Sequence, residues 1–525
     1  MTLRSPAVLM LALVAVLAGL VVAVDLTVAP PVEETGAVGE ATEPATMVGG
    51  AWACPVGDTR GGTDLTVTAV APDLGDGATG RVQLGVFGDG ELDLGAPTRV
   101  EPGSSVRGEP GGEETAAFAR WDGHPVALWR TWRLSGEEDL PPGRVAGPCL
   151  AEDSDRWWIP GMSTAGGHES RVRLANPYES DATVAVRLLT PEGPVEPTVL
   201  QNLTVLGRST TEIEINEHLP ERDDVAVDVQ VIAGRVAAEG YQLVRQAIGD
   251  VDATSLLASA TRPSATWTVP WLDGADDRHS WLWLLNPGDR PAPVELTFHD
   301  GDGGVAPEGL AEVTVEPGQL RRIDLRGTFP EDMRSAALTA RADGQPVVVS
   351  GVVRLEADEP TDAAVPVQLG AQPSGSWLVA GGATQGRTEQ LRLINPGGEA
   401  VVVDVTLWDG EQALRPDDLQ GLEVAPGALE RVDLVEELGE VDEWVVQVDA
   451  RDQGQLVVGH VGHGGEEARE LVAGVGASAA AWAPEGPAVP ARPEAGLTQR
   501  LGTGLAEPPL AEEDDLPVPP DSEDD

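Results

Sequence analysis

The chain has 525 residues and carries 34 basic side chains, all of them Arg, against 87 Asp and Glu, for a formal charge of −53. No basic face is available to release counterions from phosphate, which excludes nucleic acid as a partner and disfavours adhesion to anionic headgroups. The length exceeds what one hydrophobic core organises, and 63 Gly with 43 Pro suit many short strands joined by turns.

At the N-terminus Arg4 precedes an unbroken apolar run from Ala7 to Val24, followed by Asp25 and a Pro- and Glu-rich stretch. As a helix the run would rise about 27 Å, close to the hydrocarbon thickness of a bilayer. Residues 1–24 are therefore predicted to be a signal anchor and transmembrane helix, with Arg4 inside and the bulk of a single-pass protein outside the cell. Val21 and Ala23 also fit a cleavage site before Val24, which would make the protein secreted instead. Residues 25–49 read as a disordered spacer. Cys54 and Cys149 are the two cysteines, and an even pair in an exported chain predicts one disulfide, with two buried thiols as the alternative.

One pattern then recurs. A Trp opens similar segments at Trp52, Trp158, Trp267 and Trp377, and Trp482 follows the last. In the later three, an apolar strand ends in Asn-Pro, at Asn176-Pro177, Asn286-Pro287 and Asn395-Pro396; Ala71-Pro72 takes that place in the first. After it come an alternating run, a turn (Asp89-Gly90, Glu192-Gly193, Asp300-Gly301, Asp409-Gly410), a second turn (Pro102-Gly103, Leu206-Gly207, Pro317-Gly318, Pro426-Gly427) and a closing hairpin. The period of about 110 residues is too long for a solenoid and matches an immunoglobulin-like sandwich. The expected fold is all-β: four tandem immunoglobulin-like antiparallel β-sandwich repeats at 50–150, 156–260, 265–370 and 375–483. Helix is expected outside the anchor only as a turn or two near Val435–Leu438. Residues 484–525, rich in Pro, Ala, Gly and acid, read as a disordered tail.

Trp-x-x-Pro openings, Leu-x-Leu-x-Asn-Pro strand ends and Pro-Gly turns resemble an uncharacterised family of exported, membrane-anchored proteins of high-GC Gram-positive bacteria, over roughly residues 50 to 485. The resemblance implies location and tandem-repeat architecture, and no chemistry.

Candidate chemistry is sparse. Gly75-Asp-Gly77-Ala-Thr-Gly80 leads into a strand rather than a helix, and Gly474-Val-Gly476 is followed by Pro484 before a phosphate-binding helix could form. His460 and His463 at i, i+3 in a strand point to opposite faces, so they do not converge on a metal. Asp300 and Asp302 lack the Gly and closing Glu of a calcium loop. No nucleophile elbow or recurring Ser–His–Asp set is present. The expectation is a chain without cofactor or metal site and without enzymatic activity: a cell-surface structural or protein-interaction protein. The alternative is an extracellular carbohydrate-binding array using exposed Trp.

One repeat stands apart. Two and four residues before the Asn, side chains are apolar and must face the core, so those three and five before it face outward. These are Arg173 and Arg171, Arg392 and Gln390, but Trp283 and Trp281 in the third repeat. The two indoles are the candidate contact for a glycan or surface-protein partner, with packing against a neighbouring repeat as the other outcome.

Overall fold

The computed structural model describes residues 49–478, apart from 58–62, 76, 113–114, 135–142, 152–153, 246–252, 276–277, 302, 332, 356–366, 411 and 465–469. The expected anchor, the acidic tail with Trp482, and the expected spacer up to residue 48 lie outside the described residues, while Gly49, expected as the spacer's last residue, instead opens the first strand opposite Asp122. No described helix is long and apolar enough to cross a membrane.

The described chain is all-β, with eight antiparallel sheets. In the first stretch Gly49–Cys54, Ala116–Asp122, Gly80–Gly88 and Glu91–Leu94 lie side by side in that order, with Thr98–Val100 also on Gly80–Gly88. A second sheet runs Ser105–Gly108, Asp64–Val70, Ala127–Leu134, Gly143–Pro148. Both strand orders recur from Arg156, from Thr266 and from Ser376, the last with Ala477–Ser478 added on Ser376–Gly381. The turn chemistry explains the hairpins. Asp89 and Gly90 both take positive φ (50° and 85°), as a two-residue connection between twisted strands requires. The turn expected at Asp300-Gly301 falls one residue later, because Asp300 still pairs with Gly303. A short helix does form at Leu434–Leu438, capped by Asp433, whose carboxylate accepts from the Val435 and Glu436 N–H groups. A second, Ile215–His218, occupies the corresponding place in the second stretch.

Alternation in the Asn-Pro strands sorts the faces as expected: Val172, Leu174, Leu282, Leu284, Leu391 and Leu393 are all fully buried. The Asn side chains do more than shape a turn. Asn286 donates to Arg290 O (2.7 Å) and to Val315 O (2.9 Å), and accepts from Gly288 N (3.0 Å). Since Val315 belongs to the other sheet of that stretch, the amide ties the two sheets together. Asn176 and Asn395 repeat all three bonds.

The opening Trp of the second stretch needs correction. Trp52, Trp267 and Trp377 each donate their indole N–H to a carbonyl at the start of the closing hairpin, Val126, Val347 and Leu456. In the second stretch Trp157 does this, to Val236 O at 3.0 Å. Trp158 bridges to Ala260 as Ala53 bridges to Leu150 and Thr268 to Ala371. The repeat of Trp-x-x-Pro is therefore Trp157 to Pro160, and Trp158 sits on the opposite face.

The stretches do not stand independently. The core around Val172 and Leu174 takes in Ala53, Phe87, Ala116 and Phe118 from the first stretch. The core around Leu282 and Leu284 takes in Trp158, Leu189 and Ala226 from the second. The first and last stretches share one cluster, from Trp52 to Trp377 and Trp444. The closing strands meet in sequence: Gly143–Pro148 touches Ala253–Leu257, which touches Val367–Leu369, which touches Glu470–Val475, and that strand touches Gly143–Pro148 again. The contacts form a closed circuit.

Candidate functional site

Four seams follow from that circuit, and several buried charged side chains lie at them. The disulfide Cys54–Cys149 joins the end of the first strand to the residue after Gly143–Pro148, the strand that meets both the second and the last stretch.

At the first seam Arg130 sits opposite Val67, the register position filled by Gly240 and Gly351 in the next two stretches. Its guanidinium forms a bidentate pair with Glu239 of the second stretch, Nη1 to Oε2 at 2.6 Å, with both side chains 1% exposed. Nη1 also donates to Val56 O (3.1 Å), and Val56 N donates to Glu239 (3.3 Å). Trp132 meets Tyr241 edge-on at 6.1 Å beside the pair.

At the second seam Trp283 donates its indole N–H to Asp224 Oδ1 (3.0 Å), and Arg322 lies 3.2 Å from the same oxygen. Burial raises the Asp224 pKa, against the lowering influence of Trp283 and Arg322. At the third, Arg392 donates to Pro270 O (3.4 Å) and Ser335 Oγ (2.8 Å), while Arg431 pairs with Asp300 at 2.5 Å. Burial, reinforced by Arg431, lowers the basicity of Arg392. His299 bridges the same seam, Nδ1 to Gly427 O and Nε2 to Thr339 Oγ1, both at 2.8 Å, and burial lowers its pKa.

The fourth seam closes the circuit between the last and first stretches. The fully buried Glu389 carboxylate is held by His460 Nε2 at 2.5 Å and Arg387 Nε at 2.9 Å, with Arg144 of the first stretch 3.7 Å away. Burial alone would raise Glu389, yet His460, Arg144 and Arg387 together outweigh it and hold the carboxyl below the usual carboxylate range. Asp73 crosses the seam to Gln447 (2.8 Å) and Arg415 (3.0 Å). Between these contacts a cleft of about 650 Å³ remains, lined by Thr66, Thr68, Arg107, Arg133, Arg144 and Glu443 among others.

The sequence-predicted residues fall out as follows. Cys54 and Cys149 form the predicted bond. Trp281 and Trp283 do point away from their own core, but Trp283 is only 6% exposed because the second stretch covers it, and Trp281 is half-buried beneath His279, ring centroids 3.9 Å apart. They do not form an open aromatic platform. The same correction applies to Arg173 and Arg392, expected on a wet face and found buried. His460 spends its Nε2 on Glu389, and Asp300 faces Arg431 rather than a cation loop.

Sequence reasoning missed Arg130, Glu239 and Glu389. A signal existed: Arg130 stands where two sibling stretches carry Gly, and Glu389 stands where they carry Ser170 and Ser280, at a position whose parity faces inward. A charge at an inward position needs a partner.

Fold and seams together define a multi-sheet antiparallel β protein with one disulfide and buried ion pairs between its stretches. The chain belongs to a family of unknown function, DUF5719, whose model matches residues 109–374 and 370–461. No curated protein matches the chain.

Proposed function

We propose that the chain is a non-enzymatic cell-surface interaction or structural protein. In this reading it comprises four tandem immunoglobulin-like sandwiches, at 50–150, 156–260, 265–370 and 375–483. An N-terminal anchor over residues 1–24 tethers them, a spacer over 25–49 holds them off the membrane, and an acidic tail over 484–525 ends the chain. The observation that carries the reading is how the potentially reactive groups are used. Arg130 and Glu239 are sealed into a pair that joins the first stretch to the second, and Glu389 is sealed between His460 of its own stretch and Arg144 of the first. A buried, paired charge specifies which surfaces meet and is itself withdrawn from acid–base work. An array of Trp platforms finds less support, since Trp52, Trp157, Trp267 and Trp377 are buried with their N–H groups bonded to carbonyls. Protease shaving of intact cells, with and without detergent, tests the location: digestion of the four-sandwich region from outside is expected, and full protection on intact cells overturns it. Cross-linking on the same cells, read by mass spectrometry, identifies the surface partner.

A further inference from the structure

The second and closing seams are built on one plan, and the closing one is missing a part. At the second seam Trp283 pairs across the sheet with Arg322, and both reach Asp224, the residue just before the strand Val225–Ala233. At the closing seam Thr68 pairs with Arg107, and Arg107 reaches Glu443 at 3.9 Å, the residue just before Trp444–Ala450. Acid and guanidinium are in the same places. The indole is not, because Thr68 stands where the siblings carry Arg173, Trp283 and Arg392, all buried, whereas Thr68 is half-open. Thr66 likewise replaces Trp281, and Thr131 replaces Val352. The cleft of about 650 Å³ is the volume these shorter side chains leave. It falls within the roughly 300–1,000 Å³ typical of small-molecule sites.

We infer that this cleft is a binding site for a pyranose ring of a neutral glycan. The sibling seam shows that a flat ring with a hydrogen-bond donor fits between such an acid and such a guanidinium. The rest of the lining selects which ring. Thr66, Thr68 and Thr131 both donate and accept, Arg107, Arg133 and Arg144 only donate, and Asp64, Glu109, Asp442 and Glu443 only accept. A sugar hydroxyl does both and can be matched by this mixture, whereas an indole has one donor and would leave most of the lining unpaired. A free anion would meet four carboxylates inside the cleft and a chain of charge −53 around it. The site deepens the surface-interaction reading by naming a ligand class, but it stands on the cleft alone.

The experiment is calorimetric titration of the full-length purified chain with glucose, galactose, mannose, N-acetylglucosamine and their neutral oligomers. At least one is expected to bind with a Kd of about 1 mM or tighter. Thr68→Trp rebuilds the sibling seam's plug and should weaken that binding at least tenfold while the circular dichroism spectrum and melting temperature hold. Glu443→Gln, which keeps shape and removes the charged acceptor, should weaken it as well and serves if the Trp variant does not fold. Absence of binding across the panel overturns the inference. So does undiminished binding by a folded Thr68→Trp chain, or by Glu443→Gln, and so does displacement of sugar by N-acetyl-tryptophanamide as the preferred occupant. Because the readout is binding by purified protein, it succeeds or fails independently of the protease-shaving result.

Discussion

Replacing Glu239 by Ala leaves the Arg130 guanidinium in a site where it is 1% exposed, with Val56 O as its remaining acceptor among those described. Breaking a buried pair by removing one partner costs about 3–5 kcal/mol, because the orphaned charge remains desolvated. Removing both charges while keeping volume, as Arg130→Met with Glu239→Leu, is expected to be near neutral or to stabilise by about 1–4 kcal/mol. A chain of this size is not expected to unfold in two states, so the readout must be local. Native-state hydrogen exchange in Ala127–Leu134 and Ala237–Val244, which carry the pair, serves. The single variant should exchange about a hundredfold to a few thousandfold faster in these strands, at 1.4 kcal/mol per factor of ten. The double variant should return to the parent rate or below it. If the single variant exchanges at the parent rate, the pair does not hold the seam. If the double variant is as loose as the single, the loss comes from packing and the electrostatic reasoning is wrong.

Asn286→Ala removes three hydrogen bonds, two within the turn and one, to Val315 O, that links the two sheets of its stretch; at about 1 kcal/mol each, a local loss of about 3 kcal/mol should appear as faster exchange in Arg278–Leu285 and Glu312–Val315. The Cys54–Cys149 bond spans 95 residues, so its reduction should cost the first stretch up to about 4.7 kcal/mol in the chain-entropy account, read as a lowered melting transition after dithiothreitol. The depressed pKa of Glu389 gives a pH dependence of definite sign: its contribution is fully present above the unfolded value of about 4.3 and is lost as pH falls through the lower folded value, so Arg387–Ile394 should lose exchange protection in acid, and Glu389→Gln should flatten that response. A charge of −53 repels itself, so melting temperature should rise between dilute buffer and 1 M NaCl, a salt level at which the Debye length falls to about 3 Å; a flat response would remove self-repulsion as a term in stability.

Strand identity, turn positions to within one residue and the inward face of each Asn-Pro strand were legible because each depends on a local period or a local dihedral. Val172 and Leu174 alternate with Arg171 and Arg173 whatever lies beyond the sheet. What lies beyond is not local. Arg173 and Arg392 read as solvent-facing, and they do face away from their own core, but a neighbouring stretch covers them. Trp283 read as needing a cover, and its cover is Asp224, 59 residues earlier in the chain. The error at Trp158 has a simpler origin. Two adjacent Trp fit the opening position, and the interval to the next repeat cannot separate them to one residue. The Pro three residues on does separate them, because Trp52, Trp157 and Trp267 each precede a Pro by three. The bidentate pair of Arg130 with Glu239 was within reach of the same comparison, since a charge at a position where siblings carry Gly signals a contact the repeat alone does not contain.

The circuit also explains why the first stretch is the one that differs. Each seam sets the outer face of one second sheet against the preceding stretch, a head-to-tail contact that either closes on itself or would continue from chain to chain. Three of the four seams join stretches that follow one another in sequence, so their partners are held at high effective concentration by the intervening residues. The fourth joins Gly143–Pro148 to Glu470–Val475 across more than 300 residues and depends more on the surfaces themselves. There Glu389 gathers His460, Arg387 and Arg144, and there the disulfide fixes the strand Gly143–Pro148 to the opening strand of its own stretch. Such reinforcement is consistent with a small Thr68 at the position where the other stretches bury Arg173, Trp283 and Arg392. The cleft beside Thr68 is then a volume the fold can tolerate empty because the first and last stretches are held together not by packing at that point but by Arg144, on the strand that the disulfide fixes within the first stretch, reaching the ion cluster of the last.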